Sequence, residues 1–213
     1  ALLALCLLNL AVMVAGRAWV FPLSPFFLRE KAHALAAFWD HLSRCGLGND
    51  GDMDALIHRA EHDHRLPPGL LDAVVTVESH HRAHRISAAG AMGPAQLTAA
   101  TAEHLGVTDP FDPTQAIDAS GRLLARHLQR FERADLAVAA YNVGPGRVTD
   151  HVPRNGETEH YVPRVLAAWA AHNPGQSAPA AYIGGHAQVT LAPASPSTPV
   201  SGARPRTAHW RTR

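Results

Sequence analysis

A glutamate at the end of an apolar helical run is the residue of this chain best suited to moving a proton. In Leu66-Pro67-Pro68-Gly69-Leu70-Leu71-Asp72-Ala73-Val74-Val75-Thr76-Val77-Glu78, the prolines stand where a helix can begin and apolar residues follow at helical spacing. Leu71, Val74, Val75 and Glu78 fall at i, i+3, i+4 and i+7, so one face carries all four. The carboxyl thus extends an apolar stripe. Burial disfavours the charged form of a carboxylic acid and raises its pKa, which lets it hold a proton near neutral pH and act as a general acid.

Histidines offer a second kind of chemistry. His58 and His62 lie one helical turn apart, and His80, His81 and His84 cluster just after the glutamate. A zinc site wants a defined third ligand, and neither group forms a recognisable zinc motif, so no metal or other cofactor is expected.

The elements that must position Glu78 are helices. Lys31 to Arg44 repeats Leu35, Phe38, Trp39 and Leu42 at helical spacing, and Asp52 caps a helix running through Leu56, Ile57 and Ala60 to His64. The Glu78 helix follows. Ser87 to Gln96 is rich in Gly and small residues, a loop whose backbone can approach a ligand closely. Thr98 starts a short helix that Gly106 ends. Asp112-Pro113 opens a longer one with Ile117, Gly121, Leu124, Leu128 and Phe131 on one face. Asp135 opens another, closed by Gly144-Pro145-Gly146, and a last helix begins near Glu157-Thr158 and packs through Tyr161, Val165, Leu166 and Trp169. No period-two strand pattern and no internal repeat occurs, so the fold class is all-α.

The two ends of the chain differ from this body. Ala1 to Ala15 is apolar except for Asn9, which fits an export signal or an N-terminal membrane anchor; both stay open, and both send the protein out of the cytoplasm. Cys6 follows Leu5 where a lipid-attachment signal wants a small residue, so Cys45 is the one cysteine left for a mature chain and is read as packing. From Pro174 onward there is no Asp or Glu, while Arg204, Arg206, Arg211 and Arg213 make the tail basic; its Ala, Pro, Ser and Thr content predicts disorder. The body has no concentrated basic face, which argues against nucleic acid as a partner. The expected organisation is 1–21 signal or anchor, 22–51 linker with an accessory helix, 52–173 catalytic domain and 174–213 tail.

Four motifs occur in order: Glu78-Ser79, then Ser87-x-x-Gly90-Ala91-x-Gly93-x-x-Gln96, then Ala140-Tyr141-Asn142-x-Gly144-x-Gly146, then Glu157-Thr158-x-x-Tyr161-Val162. Together they resemble the soluble lytic transglycosylase domain, from about Leu66 to Trp169. The resemblance implies a lysozyme-like fold and cleavage of peptidoglycan glycan strands between N-acetylmuramic acid and N-acetylglucosamine. It implies Glu78 as the single catalytic acid and base, the muramic acid's own C6 hydroxyl attacking in place of water. Ser87 would then orient substrate, Gln96 line the cleft, Tyr141 hydrogen-bond Glu78, Asn142 support the loop, and Glu157 with Tyr161 shape the far wall. The family usually carries Gly-Leu-Met-Gln where this chain has Gly93-Pro94-Ala95-Gln96, which alters the substrate cradle.

A one-acid mechanism agrees with the residues. Retaining and inverting glycosidases use two carboxylates, and no second Asp or Glu here has a comparable loop or apolar setting. Two other readings stay open: a hydrolytic, goose-type lysozyme-like muramidase, and a non-catalytic peptidoglycan-binding protein on the same fold. The resemblance places the chain in the periplasm or cell envelope, in wall turnover or in opening gaps for an envelope-spanning complex.

Overall fold

The computed structural model describes residues 2–16, 21, 24–47 and 52–172. Among them are eight α-helices and one 3-10 turn, Pro145–Arg147, with no strand. The helices are α1 Leu2–Gly16, α2 Leu28–Cys45, α3 Met53–Asp63, α4 Leu70–Ser79, α5 Ala99–Leu105, α6 Pro113–Phe131, α7 Ala134–Val143 and α8 Thr158–His172. The all-α expectation holds. The tail from 174, read as disordered, lies outside the described residues.

Side-chain caps start several helices where the sequence places them. Asp52 accepts from the Ala55 amide at 3.1 Å, Thr98 from Thr101 at 3.2 Å and Asp112 from Thr114 at 2.9 Å. α4 is capped differently. Its own N-cap is Gly69 in the left-handed region, without a side chain to offer. The Glu61 carboxylate, arriving from α3, accepts instead from the amides of Gly69 (2.9 Å), Leu71 (2.9 Å) and Asp72 (3.3 Å).

The main core joins α3, α4, α6, α7 and α8 through Ile57, Leu71, Val74, Val75, Ile117, Leu124, Val138, Val165 and Trp169. α4 runs through this core, so its apolar residues are almost all enclosed and little but Glu78 remains to meet solvent on that stripe. The Trp169 indole donates to the Pro68 carbonyl at 2.9 Å, tying α8 to the start of α4.

A second core joins α1 and α2 to the loop after α4, through Val12, Ala34, Leu35, Phe38, Ile86, Met92 and Phe111. The helix of the 22–51 segment is therefore packed onto the body. Gly16 closes this contact, since a β-carbon there would come within 2.4 Å of the Ile86 carbonyl oxygen. Two expectations for α2 fail. Trp39 is 63% exposed, because the apolar face that buries Leu35 and Phe38 is narrower than the periodicity suggested. Cys45, read as packing, is exposed in the last turn.

Candidate active site

Glu78 stands in the last turn of α4, and the chain leaves that helix abruptly through His80 and His81, both at positive φ (55° and 61°). The carboxyl is partly exposed, and its apolar neighbours on α4 are buried. Tyr161, from the first turn of α8, donates its phenol hydrogen to Glu78 Oε1 at 2.7 Å. Burial pushes the Glu78 carboxyl up to about 7, opposed by the Tyr161 hydrogen bond and the Arg85 charge; nearby Glu157 raises it further and Arg164 lowers it. Desolvation wins because one hydrogen bond replaces only part of a carboxylate's hydration.

One tyrosine role is corrected here. The phenol that holds Glu78 belongs to Tyr161; the Tyr141 hydroxyl lies within hydrogen-bond distance of the Ala95 carbonyl (3.0 Å) and Ser120 Oγ (3.1 Å). Both phenols are raised, first by burial and then by the Glu78 charge, so both stay protonated donors at neutral pH. Tyr141 thus braces the Gly93-Gln96 loop against α6 beside the acid.

The loop motif is held from within. Ser87 Oγ accepts from the amides of Ala89 (3.2 Å) and Ala91 (3.0 Å). Gln96 Nε2 donates to the carbonyls of Gly93 (2.8 Å) and Arg85 (3.2 Å). Gly93 has φ 75°, and a β-carbon there would fall 1.8 Å from the Pro110 carbonyl oxygen, so this position needs glycine on both counts. Pro94 and Ala95, where the family usually carries Leu and Met, are buried, and Ala95 presents its backbone carbonyl to Tyr141.

Asn142 and Glu157 meet across the site: Asn142 Nδ2 donates to Glu157 Oε1 at 3.1 Å, and Asn142 Oδ1 accepts from Thr158 Oγ1 at 2.6 Å. A cleft of about 630 Å³ runs beside them, lined by Gln96, Tyr141 and Asn142 together with His104, Arg126 and Arg130. A larger hollow of about 800 Å³ between α7 and α8 is lined by residues such as Asp135, Arg154 and Glu159 and takes only Val162 from the motifs. The smaller cleft is the one that the motifs border.

The structure therefore gathers Glu78, Tyr161, Tyr141, Asn142, Glu157 and Gln96 around one corner, with Ser87 a loop brace behind it. Sequence reasoning missed Arg85, whose charge acts on Glu78 and whose Nε is buried without a hydrogen-bond partner. It also missed Glu61. Neither residue carries a local signal, since each acts across a tertiary contact. Three of the histidines weighed as ligands face carboxylates: His62 meets Asp63 at 3.0 Å, His81 meets Asp72 at 2.5 Å, and His58 lies 4.0 Å from Glu61.

Residues 55–163, about half of the chain, match the family model described as the transglycosylase SLT domain. The chain is 33% identical over 152 residues to a transglycosylase of Enterobacteria phage PRD1, covering 71% of this chain and 52% of that protein. It is 39% identical over 99 residues to membrane-bound lytic murein transglycosylase F 2 of Alkalilimnicola ehrlichii, covering 43% of this chain and 22% of that one. The chain thus spans about half of the first relative's length and under a quarter of the second's. In fold it resembles an inactive mutant of the lytic transglycosylase Slt of Pseudomonas aeruginosa, with a TM-score of 0.50 and 23% identity, over 86% of this chain and 31% of that one.

Proposed function

The chain belongs to the transglycosylase SLT domain family, and from that premise we propose that it is a peptidoglycan lytic transglycosylase in which Glu78 is the only acid and base. Protonated Glu78 gives its proton to the oxygen joining N-acetylmuramic acid to N-acetylglucosamine. As that bond breaks, the C6 hydroxyl of the muramic acid attacks the anomeric carbon and returns a proton to Glu78. The product ends in 1,6-anhydromuramic acid, no water is consumed, and the acid is regenerated.

The observation that carries this reading is the state of Glu78: a carboxyl with one phenol donor, held near neutrality by burial. A group with a pKa near the working pH can both donate and accept within one turnover. The intramolecular nucleophile lowers the entropic part of the barrier because it is already in place. Tyr161 orients the carboxyl. Tyr141 and Gln96 hold the loop that borders the cleft, Ser87 keeps its turn closed and positions substrate through that turn, and the Asn142–Glu157 pair forms the opposite wall.

The catalytic unit is residues 52–173, acting in the periplasm or cell envelope after export directed by residues 1–21 as signal or anchor. Membrane association through α1 is supported by its inverted polarity. Its one polar residue, Asn9, is buried and accepts from Lys31 Nζ at 2.7 Å, while Leu2, Leu3, Leu7, Leu10 and Val14 are exposed. Among the described residues no helix is long and apolar enough to cross a membrane.

Digestion of purified sacculi followed by mass spectrometry tests the reaction. Muropeptides lighter by one water than hydrolysed ones are expected. Products of hydrolytic mass would replace this reading with a muramidase, for which Glu157 is the first candidate base because it is the second carboxylate that Glu78 senses. No digestion at all would leave a peptidoglycan-binding protein.

A further inference from the structure

We propose that His41, Cys45 and His84 form a binding site for a zinc-type divalent cation, with Asp109 as the carboxylate that orients His41. The donors come from three separate segments. His41 and Cys45 stand one turn apart near the end of α2, His84 lies in the loop after α4, and Asp109 lies between α5 and α6.

The two histidines already sit as a pair of ligands would. His41 Nε2 and His84 Nε2 face each other at 3.1 Å. Two imidazole nitrogens each about 2.0–2.1 Å from one tetrahedral ion would lie roughly 3.3 Å apart, so a small adjustment admits the ion between them. His41 Nδ1 is engaged by Asp109 Oδ2 at 2.8 Å, which makes Nε2 the nitrogen that points at the ion. A carboxylate on the far nitrogen is the usual partner of a metal-ligating histidine, fixing its tautomer and raising its basicity. Ligand atoms of His41, Cys45 and Asp109 all lie within 4.8 Å of one another.

Burial and charge fit the same assignment. His41 and Asp109 are 4% and 2% exposed, and the rings of Phe38 and Phe111 pack around the two histidines, so this side is rigid and apolar. Cys45 is exposed, which leaves an entry path and a side chain free to swing in. Arg44 also donates to Asp109 Oδ2, at 2.9 Å, and pairs with Asp40 at 2.8 Å. With the Phe111 amide donating to Oδ1 at 3.0 Å, both carboxylate oxygens are engaged, which keeps Asp109 an orienting group. Two nitrogens and a sulfur select zinc over magnesium or calcium, which prefer oxygen.

Such an ion would clamp α2 to the segment that carries the site loop, since Arg85, next to His84, offers its carbonyl to Gln96 and to the Gly93 amide. Of this set only His84 figures among the histidines weighed from the sequence, because its members are far apart in the chain.

The test uses the full chain stripped with chelator and then loaded with zinc or cobalt(II). One tightly held ion per chain is expected, with a cobalt–thiolate charge-transfer band that Cys45→Ser abolishes. His84→Gln should weaken binding at least about tenfold, and Asp109→Asn by about 10–100-fold, as for other groups that orient a ligand. The double change His58→Gln with His62→Gln serves as the control for surface histidines and should leave affinity unchanged. Cys45 is exposed, so its serine variant tests the site without a folding penalty. The proposal is overturned if the wild-type chain retains no ion, if cobalt gives no thiolate band, or if His84→Gln binds as tightly as wild type. None of these readouts depends on Glu78 or on peptidoglycan cleavage.

Discussion

The two ends of α4 each meet a carboxylate, and the two are built to opposite purposes. At the N-terminal end Glu61, 5% exposed, accepts three backbone amides and serves as the cap that Gly69 cannot supply. At the C-terminal end Glu78 has a single phenol donor and an opening to solvent. Burial raises both carboxyls, and in Glu61 the three amides oppose that rise. The helix dipole separates them further, favouring negative charge at the end where Glu61 sits and disfavouring it where Glu78 sits. Burial alone therefore does not decide how a carboxyl behaves; the number of its donors and its opening to solvent do.

The sharpest way to break this comparison is to neutralise each carboxylate in turn. Glu78→Gln should lower sacculus digestion by about 10²–10⁴-fold, the usual worth of a general acid, while circular dichroism and thermal unfolding stay native-like. Digestion at the wild-type rate would remove Glu78 from the chemistry. Glu61→Ala should do the reverse. Leaving three amides of α4 without their acceptor should cost about 3 kcal/mol in denaturant unfolding, and the pH dependence of the remaining activity should be unchanged. A loss below about 0.5 kcal/mol would mean that water replaces the cap fully.

A smaller effect separates the two ends by pH. The folded-state pKa of Glu78 lies above its unfolded value, so its contribution to stability is complete below about 4.5 and is lost as pH rises to about 7. At pH 8 Glu78→Gln should thus be the more stable protein, by on the order of 2 kcal/mol after allowing for cleft water. Equal unfolding curves at that pH would contradict the raised pKa. The rate should likewise fall above about pH 7, because the acid must be protonated. Tyr161→Phe removes a hydrogen bond that favours the charged carboxyl, so this falling limb should move to higher pH while the plateau rate drops about tenfold. An unmoved limb would show that the phenol does not tune the acid.

Much of the fold was legible before any coordinates. The caps at Asp52, Thr98 and Asp112, the turn at Gly144-Pro145-Gly146 and the buried face of α6 are local features, and each was found where spacing and residue type put it. Trp39 and Cys45 were misread because helical period says where a stripe lies and not how wide its partner is. The site was legible as a set of residues, and less so as a set of bonds. Tyr141 and Tyr161 belong to motifs on different helices, and which phenol reaches Glu78 depends on how α8 crosses α4.

Sequence by itself determined that Glu78 would end an apolar face, that helices would carry the motifs, and that a glycine-rich loop would lie between them, because propensity, capping and periodicity act within a few residues. Only the tertiary structure decided that Tyr161 holds Glu78, that Glu61 caps its helix from a neighbouring one, and that His41 meets both His84 and Asp109 across the α2 contact. These pairings join residues on different elements, from 8 to 83 positions apart, and their distances follow from helix packing, which no local pattern encodes.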